Sequence, residues 1–70
     1  MMPVVAALPL TTRELEILQL LSRGQLYKEI GDKLDITIGT VKQHIHKIYG
    51  KLQVSNKTEA INKLNETRKE

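Results

Sequence analysis

The chain contains no cysteine, so neither a disulfide framework nor a thiolate metal site can staple it or supply its chemistry. That absence fits a reducing compartment, and a cytoplasmic location is the expectation. No apolar run approaches the roughly 20 residues of a membrane span, so no membrane role is expected. The opening MMPVVAALP has no basic start and too short an apolar stretch for a secretory signal. A cysteine nucleophile, a glycine-rich phosphate loop and paired carboxylates facing a cleft are all lacking, which leaves no basis for an enzyme or a cofactor site. Seventy residues make one domain at most, and a chain of that size buries only about 60% of its unfolded surface.

Acidic residues are also missing from one particular place. Residues 1–36 carry four basic and five acidic side chains, and residues 59–70 carry three of each. Between them, residues 37–58 hold Lys42, Lys47, Lys51 and Lys57 with no carboxylate, so the net charge of +3 originates there. Such a segment suits a polyanion, although a solvated helix face remains open at this point.

The hydrophobic pattern predicts four helices and no strand. Thr11 followed by Glu14 is a capping box opening the first helix, whose Leu15, Ile17, Leu18, Leu20 and Leu21 cover a broad arc, and Gly24 is its left-handed stop. A second helix, about Leu26 to Leu34, puts Tyr27, Ile30, Gly31 and Leu34 on one face. Gly31 within that face implies the close approach of another helix. Thr37 is the expected cap of the third helix, and Asn56 with Glu59 repeats the capping-box spacing for the fourth, which runs through Ala60, Ile61 and Leu64. Residues 1–9 read as a linker or cloning remnant, residues 10–66 as the domain and residues 67–70 as a polar tail.

The third helix is the informative one. At about 100° per residue, Val41, Ile45, Ile48 and Leu52 fall in a narrow wedge with Tyr49 at its edge. Gly39, Gln43, His46 and Gly50 lie opposite, flanked by Lys42 and Lys47. Small residues at the ends of a hydrogen-bonding face allow close approach to another surface. The DNA major groove, about 12 Å wide, admits one helix, and Lys and Gln can pair there with guanine and adenine edges. Flanking lysines would reach phosphates. Two short helices around KLDIT, the second bearing this face, have the layout of a helix-turn-helix. Gly50 could instead end the helix one turn early.

The segments LTTRELEILQLLSRG, KEIGDKLDIT, TVKQHIHKIYGKLQV and NKTEA, in this order and spacing, resemble the LuxR/GerE-type helix-turn-helix domain. The resemblance runs from Leu10 to about Leu64 and implies an all-α, four-helix bacterial DNA-binding domain of a transcription regulator, commonly the output domain of a response regulator in a two-component system. It implies a recognition helix at about residues 38–51 that enters the major groove of double-stranded DNA, with Lys42, Gln43 and His46 at base-reading positions. Thr40, Lys47, Lys51 and Lys28 fall at phosphate-contacting positions. The fourth helix is implied as a homodimer contact through Ala60, Ile61 and Leu64, and a receiver or sensor domain would precede this one in a full-length protein. Three residues depart from the family pattern: Leu26 replaces a small polar cap, Gly31 replaces the usual alanine and should loosen the second helix, and Gly39 removes any base contact made at that position.

Other readings stay open on the residues alone. A sigma-factor region-four module also pairs an LTxRE-like helix with a helix-turn-helix, and a protein-interaction bundle could dock through helix four. His44 and His46 point roughly 200° apart on a helix and cannot share a metal ion, for which i, i+4 pairs are wanted. His44 reads as a packing residue and His46 as an outward one. Because an imidazole gains charge as the pH falls between about 8 and 5, DNA binding is expected to be tighter at about pH 6 than at pH 8. Titrations of the wild type and His46→Gln at both values check this, and an identical pH dependence in the two would refute it.

Overall fold

A computed structural model describes residues 8–68, with side chains through Glu66. Residues 1–7 of the expected linker and residues 69–70 of the expected tail lie outside the described residues. Four helices follow one another with short connections: α1 (Thr12–Ser22), α2 (Tyr27–Leu34), α3 (Ile38–Leu52) and α4 (Lys57–Arg68). Among the described residues there is no strand, and no helix is long and apolar enough to cross a membrane.

The helices begin where their polar caps sit. Thr11 Oγ1 accepts the Glu14 N–H at 3.1 Å, and Glu14 Oε1 accepts the Thr11 N–H at 3.0 Å, so the capping box closes in both directions. Thr37 Oγ1 accepts the Thr40 N–H at 3.1 Å and starts α3. At α4 the reciprocal bond is displaced by one residue. Asn56 Oδ1 takes the Glu59 N–H at 3.0 Å, but the Glu59 carboxylate reaches Ser55 N–H at 2.8 Å. At α2, Leu26 has no oxygen to offer, and only the return bond forms, from Leu26 N–H to Glu29 Oε1 at 2.7 Å.

The helix ends are less uniform. Gly24, at φ +86°, closes α1 with paired bonds from Gln25 N–H to Leu20 O and from Gly24 N–H to Leu21 O, a Schellman arrangement. Asp35 and Gln53 take the equivalent left-handed positions after α2 and α3, at φ 59° and 57°. Neither is the glycine that such a backbone favours.

Ile17, Leu18, Leu20 and Leu21 of α1, Ile30 of α2, Val41, Ile45, Ile48 and Leu52 of α3, and Ala60 and Leu64 of α4 form one core. The expected apolar wedge of α3 is therefore its buried face. Leu8 and Leu10 pack against this core, so packed residues start two positions before residue 10, where the domain is expected to begin. At the other end α4 continues to Arg68, two residues beyond the expected limit of 66. Gly31 meets a turn as well as a helix: a Cβ there would stand 2.7 Å from the Ile36 carbonyl oxygen and 3.6 Å from Val41 Cγ2 of α3. The turn folds back so closely that Ile36 N–H bonds the Gly31 carbonyl at 2.9 Å.

A polar link joins α1 to α3 at the edge of this core. Glu14 is 4% exposed, and its Oε1, already bonded to Thr11 N–H, also receives Lys51 Nζ of α3 at 2.7 Å. Burial alone would raise the Glu14 carboxyl, but the hydrogen bonds from Lys51 and Thr11, with the attraction of the ammonium, hold it below its ordinary value. Between α2 and α3, Tyr27 neighbours Tyr49. Burial, followed by this neighbour, pushes the Tyr49 hydroxyl upward.

A carboxyl whose folded pKa is lowered contributes stability that is complete above its unfolded pKa and is lost as pH falls through the folded one. The wild type should therefore lose stability below about pH 4.3, and Glu14→Gln should flatten that acid limb. At neutral pH the same substitution should destabilise by about 1–2 kcal/mol, since Lys51 is partly solvated and glutamine retains the capping oxygen. Urea unfolding between pH 3 and pH 7 checks both effects. Gln53→Gly, by relieving a left-handed side chain, should stabilise by about 0.5–1 kcal/mol after the entropy of glycine is offset. Thermal melting reads that as a higher Tm.

Candidate nucleic-acid interface

The site is built on α3. The Thr37 cap fixes its start, the buried wedge fixes its rotation, and the Lys51–Glu14 bond fixes its last turn against α1. With one face committed to the core, the side chains of Lys42, Gln43, His46 and Lys47 are all exposed, and these four line one shallow, open surface depression. His44, by contrast, is half-buried beside the core. The whole fifteen-residue helix carries no carboxylate.

The two glycines of α3 belong to this exposed face. Gly50 does not end the helix, which continues to Leu52. A Cβ at Gly50 would meet nothing within 4 Å, and one at Gly39 would meet only Thr37 Oγ1 at 3.8 Å. Intramolecular packing therefore requires glycine at neither position. Their effect is to leave both ends of the outward face low, so that a partner surface can approach the backbone between the flanking lysines.

The remaining candidate residues occupy different situations. Lys28 is exposed on the first turn of the short α2. Thr40 is half-buried, and its hydroxyl lies 3.0 Å from that of Thr37, within the cap of α3. Lys51 sits apart from the other lysines, since its ammonium is held by Glu14 and its side chain is 39% exposed. The tether to a buried carboxylate, contributed from 37 residues away, has no signal in local periodicity.

Of the α4 residues expected to form a homodimer contact, Ala60 and Leu64 are buried in the core of the chain itself, and Ile61 is partly exposed. Apolar residues at i and i+4 mark the inward face of α4. Its outward face is polar, with Glu59, Asn62, Lys63 and Glu66 exposed.

The model of the GerE family, described as bacterial regulatory proteins of the luxR family, matches residues 8–64. Transcriptional regulatory protein LiaR of Bacillus subtilis (strain 168) is 59% identical over 51 residues, which is 73% of this chain and 24% of that protein. Transcriptional regulatory protein DesR of the same organism is 47% identical over 58 residues, 83% of this chain and 29% of its own length. Response regulator protein VraR of Staphylococcus aureus (strain NCTC 8325 / PS 47) is 46% identical over 52 residues, covering 74% of this chain and 25% of VraR. The chain thus spans roughly a quarter of the length of each relative. With the four-helix fold, the acid-free exposed helix and a family match over most of its length, the chain belongs to the luxR family of bacterial regulatory proteins.

Proposed function

We propose that this chain is the sequence-specific, double-stranded DNA-binding domain of a transcription regulator, with α3 as the helix that enters the major groove. The observation that carries the reading is the exposed face of α3: Lys42, Gln43, His46 and Lys47 share one surface depression between two glycines, with no carboxylate on the helix. Lys42 and Gln43 have the donors and acceptors to pair with guanine and adenine edges, and His46 extends the same face. Lys47 and Lys28, with the Thr40 hydroxyl, position the domain on phosphates. Lys51 adds positive charge at the end of α3 while its primary bond is to Glu14.

The similarity to response regulators supports a longer protein in which a receiver or sensor domain precedes this one and controls pairing on two related half-sites. A contact between copies through α4 would have to use Ile61 and the polar residues around it, because Ala60 and Leu64 are enclosed in the core. A DNA-binding regulator of this kind works in the cytoplasm and performs no catalysis. The sigma-factor-like and protein-docking alternatives gain no comparable support.

Selection of random duplexes against the chain, followed by titration of the winners at two salt concentrations, tests the proposal. Neutralising four to six phosphates should give a log–log salt slope of about −4 to −5 per domain, whereas docking through an apolar surface would show almost none. Lys42→Ala should lose about 1–3 kcal/mol and relax preference at one base pair. Lys47→Ala should weaken all sequences evenly and lower the slope by about one. Failure to enrich any sequence, together with a flat salt response, would overturn the reading.

A further inference from the structure

The first turn of α3 contains a side chain that neither the core nor the basic face accounts for. Ile38, the first residue of α3, is 44% exposed. Only Ile38 and Leu26 are large hydrophobics that stand exposed among the described residues. Its neighbours Thr37, Gly39 and Thr40 add no second apolar side chain of its size. The Thr37 hydroxyl accepts the Thr40 N–H at 3.1 Å and lies 3.0 Å from the Thr40 hydroxyl, so the two are engaged with one another. Gly39 has no side chain. The leading end of the helix therefore presents an aliphatic group.

Ile38 and Lys42 are one turn apart, at i and i+4, and so are neighbours on the helix surface. In helix-turn-helix proteins the N-terminal residues of the recognition helix meet base edges. The major groove displays one apolar group on its base edges, the 5-methyl of thymine. An isolated exposed isoleucine is ordinary on a protein surface; here its place at the leading end of the groove-facing helix, beside Lys42, gives it a specific counterpart.

We propose that Ile38 is a specificity-determining residue that packs against the 5-methyl group of a thymine next to the base pair read by Lys42. This rests on the DNA-binding reading above. Because Gly39 is bare, Ile38 takes over discrimination at the leading end of the helix, and it selects a methyl group rather than a hydrogen-bond pattern. The half-site should therefore contain an A·T pair with its thymine on the strand facing Ile38.

The test uses the tightest duplex from the random selection, with each thymine replaced singly by deoxyuridine, which pairs identically but lacks the methyl. For the wild type, one replacement per half-site should weaken binding about fourfold, the effect of one buried methyl-sized group. The same replacement should leave Ile38→Ala unchanged, while Ile38→Val, which keeps a branched side chain, should retain the sensitivity. Ile38→Ala should itself bind the thymine duplex several-fold less tightly than the wild type. Sequence-specific binding in which every uracil replacement affects the wild type and Ile38→Ala equally would overturn the contact and leave DNA recognition standing. Failure to select any duplex would overturn the DNA-binding reading, and this proposal with it.

Discussion

A single carboxylate oxygen, Glu14 Oε1, holds the start of the fold to the end of its exposed helix. It accepts the Thr11 N–H that begins α1 and the Lys51 ammonium from the last turn of α3. A buried carboxylate with too few partners would be strongly destabilising, and the Lys51 ammonium reaches this one only when α1 and α3 are correctly docked. The bond thus favours one arrangement of the two helices over slipped or rotated ones. Its strength is modest because Lys51 remains partly solvated, but the constraint it places on α3 is geometric as much as energetic.

That constraint matters because α3 has two faces with opposite tasks. Val41, Ile45, Ile48 and Leu52 secure it to α1, α2 and α4. The same commitment turns Gln43, His46 and both glycines toward solvent. A helix with fixed rotation presents its polar groups in one register, which is what reading base edges requires. The close turn between α2 and α3 does similar service, since the absent Cβ of Gly31 lets the Ile36 carbonyl approach and brings the two helices together.

Much of this was legible from the residues themselves. Thr11, Thr37 and Asn56 announce helix starts because a short polar side chain before an apolar period has one favourable use, and each of them caps a helix here. The wedge on α3 follows from helical periodicity alone. Pairings between distant segments did not show. Glu14 read as a cap and Lys51 as part of a basic face, and nothing in either neighbourhood indicated that they meet. Ala60 and Leu64 show the related limit: periodicity marks α4's apolar side but does not say whether it faces the chain's own core or another molecule. Asp35 and Gln53 hid two left-handed helix ends, because glycine is the usual sign of that conformation and stands at neither. The family resemblance supplied the groove-facing assignment, while periodicity sets Ile38 at the edge of the apolar wedge and gave no sign that it stands exposed at the leading end.

The most direct measurement is amide chemical-shift mapping of the folded chain during titration with a selected duplex at low salt. The largest changes should fall on Gly39, Gln43, His46 and Gly50, with smaller ones at the start of α2 near Lys28. Changes centred on Asn62, Lys63 and Glu66 of α4, or no changes at all, would contradict α3 as the DNA-facing element.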